Sequence, residues 1–86
     1  MSKPTEYPTP HTANPGDKLR NGAVLVAKFF DLQGRCYVAA EWNPGKEWAS
    51  WMLDSKGHCH WGEYFWGDTP AKCKLDAIQS ASNRAK

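Results

Sequence analysis

Four stretches of the chain read as strands, one of them alternating cleanly, and one stretch near the end repeats with the period of a helix. Gly22–Phe30 (GAVLVAKFF) is a β-branched and aromatic run of strand length. Asp31-Leu32-Gln33-Gly34 follows as a turn, with Gly34 free to take the left-handed conformation. Arg35–Trp42 then alternates. Cys36, Val38, Ala40 and Trp42 fall on one face, and Arg35, Tyr37, Ala39 and Glu41 on the other.

Asn43-Pro44-Gly45-Lys46 marks a second turn, Glu47–Leu53 a third strand, Asp54-Ser55-Lys56-Gly57 a third turn and His58–Phe65 a fourth strand. A short third loop places Trp51 and Leu53 beside Trp61 and Cys59. A loop one residue longer pairs Trp48 and Met52 with Glu63 and Cys59. The first register buries more apolar surface and is the preferred one. Gly67-Asp68-Thr69-Pro70 reads as a helix start, with Asp68 or Thr69 as cap and Pro70 at the first helical position. Ala71, Leu75 and Ile78 then form a narrow apolar stripe, and the helix runs to about Ser82. The expected fold is α+β: a four-stranded antiparallel β-meander with one C-terminal helix packed on a face.

Residues 1–18 lack a hydrophobic cluster and carry Pro4, Pro8, Pro10 and Pro15. Such a segment buries too little surface to offset its chain entropy. It reads as a flexible proline-rich tail, or as a docking arm through Tyr7, leaving a single domain over 19–86.

Length agrees with one domain, since 86 residues leave room for only a small core. The net charge of +2 comes from eleven basic and nine acidic side chains spread along the chain, without the basic face of a dedicated polyanion binder. No apolar run approaches the roughly 20 residues that span a bilayer, and the start has no signal-peptide core. Three cysteines, an odd number without framework spacing, fit a reducing compartment, so a cytoplasmic location is expected.

Few residues point to chemistry. His58, Cys59 and His60 are consecutive, so on a strand Cys59 points away from both histidines. Zinc sites space their ligands at C-x₂₋₄-C or H-x₃₋₅-H, and neither a metal nor another cofactor is expected. The same geometry denies Cys59 an adjacent base, and Cys73, near the helix start, has no nameable one. No phosphate-cradling loop, nucleophile elbow or carboxylate pair appears, so enzyme activity is not expected.

The aromatic residues are more telling. Trp42, Trp48, Trp51, Trp61, Tyr64, Phe65 and Trp66 crowd into residues 42–66. One short helix covers one face of a sheet, and seven large rings exceed what so small a core needs. An exposed aromatic patch is therefore expected. In the preferred register Trp48, Tyr64 and Trp66 share the face opposite Trp51 and Trp61, and they are the candidate binding residues. The same rings could stack on single-stranded nucleic acid or a nucleotide. However, Glu41, Glu47, Asp54 and Glu63 offset Lys28, Arg35, Lys46 and Lys56 on that sheet.

The run W-x-x-D-x-x-G-x-x-x-W-G-x-Y-F, from Trp51 to Phe65, follows a strand ending Ala40-Glu41-Trp42 and precedes a short helix. Over about Arg20 to Asp76 the chain resembles short proteins carried by phages and prophages. The resemblance carries no catalytic residue across. It implies a stoichiometric binder of a host protein or protein complex, of which anti-CRISPR inhibitors are one class.

Overall fold

The computed structural model describes residues 8–86. Its elements run β1 (Val24–Phe30), β2 (Cys36–Asn43), β3 (Glu47–Leu53), β4 (Cys59–Phe65) and α1 (Pro70–Arg84). The strands form one antiparallel sheet in the order β1-β2-β3-β4, with α1 packed across it. This is the α+β meander expected from the alternation and the turns.

Strand alternation divides the core into two layers. Cys36, Val38 and Ala40 of β2 join Ala49, Trp51 and Leu53 of β3 on one face. Tyr37 and Ala39 of β2 join Trp48 and Phe65 on the other, beneath Cys73, Ala77 and Ala81 of α1. Pairs such as Val38 with Trp51 and Cys36 with Leu53 lie directly opposite across the two strands, where side chains on the same face touch.

The helix buries a different stripe from the one expected. Leu75 is 65% exposed, whereas Cys73, Ala77 and Ala81, spaced four apart, face the sheet with Ile78 half-buried beside them. The sheet supplies the bulk here through Trp48, Phe65 and Tyr37, so the helix can approach only with small residues. Thr69 caps the helix, its Oγ1 accepting from the Lys72 N–H, and Pro70 takes the first position. Ser80 donates to a Glu63 carboxylate oxygen at 2.7 Å. Its single proton is thereby committed, so the fully buried Ser50 hydroxyl must donate to Ser80 at 2.8 Å.

The boundary expected after residue 18 does not hold. Ala13 is fully buried among Leu19, Ala23, Leu25 and Trp51, on the sheet face that the helix leaves open. The Gly16 N–H donates to the Leu25 carbonyl and the Leu25 N–H to the Asp17 carbonyl, both at 2.8 Å. Lys28 Nζ reaches the Pro10 carbonyl at 2.9 Å. Residues 9–18 are thus held by hydrogen bonds to their main chain and by two small buried residues, Pro10 and Ala13, which need no hydrophobic cluster. They also shield the β1 edge through the Lys18–Val24 bridge. Gly57, at φ +87°, turns the third hairpin beneath this segment, where a Cβ would stand 2.5 Å from the Pro8 carbonyl oxygen. Tyr7 and the rest of residues 1–7 lie outside the described residues.

Candidate functional site

Strand β4 is the open edge of the sheet, and a single extra residue decides where its side chains point. Leu53 pairs with Cys59 and Met52 with His60, but Trp51 pairs with Gly62, so Trp61 is the additional residue of a β-bulge. Trp61 sits at φ +59°, left-handed backbone that bulky residues rarely adopt. Everything beyond the bulge is shifted by one position, and a one-residue shift reverses the faces.

The expected site is thereby split. Trp48 is only 4% exposed, enclosed between sheet and helix against Ala77, Ala81 and Phe65. It is a core residue and no part of a binding surface. Tyr64 moves to the opposite face, where it lies 5.9 Å from Trp51 in an edge-on contact, 45% exposed. The Trp51 indole Nε1 donates to the Tyr64 hydroxyl at 3.4 Å. Trp42 continues the row, 5.5 Å from Trp51 at 76°, and such edge-to-face pairs fix ring orientation. Gly62 makes the row possible, since a Cβ there would meet Trp51 Nε1 at 2.8 Å and Tyr64 Cε2 at 2.9 Å.

Trp66, 65% exposed, stands just past the end of β4. With Tyr64 and Phe65 it borders a cleft of about 250 Å³ whose other wall is formed by Asp68, just before α1, and by Cys73 and Asp76 in the first half of α1. Lys72 lies between the two carboxylates, 3.5 Å from Asp68 and 3.0 Å from Asp76. The Asp76 carboxylate, aided by Asp68, holds the Lys72 ammonium above its ordinary pKa. One cation between two anions leaves the helix wall with a net negative charge.

At the other end of β4 the histidines are committed to a turn. Asp54 Oδ1 accepts from the Lys56 and His58 backbone N–H groups, and its Oδ2 lies 2.7 Å from His60 Nε2 and 3.4 Å from His58 Nδ1. Among the described residues no group of three or more His, Cys, Asp or Glu could hold a metal ion. Cys59 faces the sheet core opposite Leu53, away from both histidines, and burial pushes its thiol up to about 11. Cys36 and Cys73 are buried, and all three cysteines are free.

The His60 hydrogen bond, followed by the His58 backbone N–H, holds the Asp54 carboxyl well below the usual carboxylate range. A depressed folded-state pKa means stability that is fully present above the unfolded value, about 4, and is lost as pH falls towards the folded one. The thermal midpoint of wild type should therefore exceed that of Asp54→Ala above about pH 4, and the gap should narrow on further acidification. A gap independent of pH down to about pH 2 would show that the carboxylate charge contributes nothing to the turn.

Compared with protein-family models, curated proteins and solved structures, the chain matches none. No helix among the described residues is long and apolar enough to cross a membrane.

Proposed function

We propose that this chain is a small non-enzymatic binding protein that engages a protein partner through Tyr64 and Trp66. One observation carries this reading: at one end of β4 two large rings are accessible, Trp66 beside a cleft lined by the Asp68 and Asp76 carboxylates and Tyr64 on the opposite face in a row with Trp51 and Trp42. Exposed aromatics beside a shallow cleft are the usual anchors of protein interfaces. The negative wall disfavours phosphates, so a polyanion suits these rings poorly. A partner surface presenting an apolar group next to Lys or Arg suits them well. The phage resemblance makes a host protein or complex the expected class of partner, one that binding would inhibit or modulate.

The test is capture from host lysate with and without nuclease, followed by a salt titration of the captured partner. Trp66→Ala, in a variant that still folds, should weaken binding by about 2 kcal/mol, roughly 30-fold, as hot-spot truncations do. Capture should survive nuclease. Loss of the partner on nuclease treatment, with affinity falling steeply in salt, would instead assign the surface to single-stranded nucleic acid.

A further inference from the structure

We propose a second binding site, for a nucleotide unit, on the helix-covered face of the sheet beyond the C-terminal end of α1. Its floor is the cross-strand pair Tyr37 and Met52. Trp61 forms one wall, and Arg35 and Arg84 complete the lining of a pocket of about 480 Å³. Small-ligand sites occupy this size range. The pocket is separate from the Tyr64–Trp66 cleft, which lies at the other end of α1 and carries the opposite charge.

Each part of the lining is available to a ligand. The bulge turns Trp61 out of the sheet and leaves it 77% exposed, at a backbone conformation costly for a bulky residue. Among the described residues no other ring stacks on it. Arg35 is held to Asp31 through Nε at 2.9 Å, which fixes its stem and leaves the terminal Nη groups for a ligand. Arg84 is paired only loosely, its Nη2 lying 3.8 Å from a Glu63 oxygen that already accepts from Ser80. Two guanidinium forks from different elements therefore border one apolar floor.

This combination selects its ligand. Guanidinium forks match phosphate oxygens in bidentate geometry. An exposed indole stacks on any base, whatever its identity. A bare anion would leave Trp61, Tyr37 and Met52 unused, and a neutral aromatic would leave the terminal Nη groups of Arg35 and the loosely paired Arg84 fork without a bidentate acceptor. A base carrying a phosphate uses both halves. Both a free nucleotide and one residue of a single strand offer that chemistry.

The experiment is an NMR titration of the isotope-labelled full chain with adenosine monophosphate, adenosine, inorganic phosphate, phosphotyrosine and a short single-stranded oligonucleotide. Adenosine monophosphate should move the Trp61 indole and Arg84 side-chain signals, and should bind at least about tenfold tighter than adenosine or phosphate alone. Trp61→Gly and Arg84→Gln should each weaken it by about tenfold or more, with the signals of the core unchanged. Glycine adopts φ +59° freely, so the first variant removes the ring without straining the fold. An oligonucleotide that binds tighter than the mononucleotide would make a strand the source of the ligand, and parity would make it the free nucleotide. Three results would overturn the proposal: no shift at Trp61, phosphate binding as tightly as the nucleotide, or no effect of Trp61→Gly. Tighter binding of phosphotyrosine than of any nucleotide would also overturn it, by giving the pocket to a modified protein side chain.

Discussion

A chain beginning at Lys18 will be less stable than the full chain by about 3 kcal/mol or more in a urea titration. Truncation there removes the Gly16, Asp17 and Pro10 hydrogen bonds to β1, each contributing on the order of 1 kcal/mol. It also removes Ala13 from the core and uncovers apolar surface around Leu25 and Trp51, which water then hydrates at about 25 cal/mol per Å². The freed entropy of the deleted residues offsets part of this. Domains are stable by only about 5–15 kcal/mol and small ones sit low in that range, so the shortened chain should melt near ambient temperature. A loss below about 1 kcal/mol would mean that residues 9–18 rest on the sheet without stabilising it.

That expectation reverses the one drawn from composition, and the reason is physical. Reading a segment by its hydrophobic residues finds cores made of large side chains. It does not find a strap held by backbone carbonyls, a buried alanine and a buried proline. Strand alternation was legible because successive β2 side chains enter opposite layers of the core, Cys36, Val38 and Ala40 on one face against Tyr37 and Ala39 on the other. Turn chemistry at Gly34, Gly45 and Gly57 placed the three hairpins, and each glycine takes positive φ.

The helix stripe was misplaced because hydropathy ranks Leu75 above Ala77, whereas the space left by Trp48 and Phe65 admits only the smaller residue. The site was half legible. Tyr64 and Trp66 are accessible, but strict alternation through β4 assigned the wrong face to Tyr64 and overlooked Trp61 as the ring turned outward. A signal was present. Glycine within a strand often marks a bulge or a close approach, and Gly62 does both. Arg35 and Arg84 were invisible as a pair because they lie far apart in sequence and meet only through the fold.

The largest single-residue effect should fall on Trp48, the residue that alternation offered as a surface anchor. Its indole lies opposite Phe65 on β4 and beneath Ala77 and Ala81, at the centre of the contact that joins helix to sheet. Replacing a buried tryptophan by alanine costs about 3–5 kcal/mol, from lost transfer energy and from a cavity that the surroundings only partly fill. Here collapse is limited on both sides. The sheet is braced by its strand pairing, and the helix already sits as close as its small residues allow. Trp48→Ala should therefore unfold most of the population at moderate temperature, or leave a domain whose helix amides exchange far faster than those of β2 and β3. Trp66→Ala should change the unfolding free energy by less than about 0.5 kcal/mol, the range of surface substitutions. The contrast separates the two rings by role. If Trp48→Ala folds as stably as wild type but loses the captured partner, the ring belongs to the binding surface and does not hold the helix to the sheet.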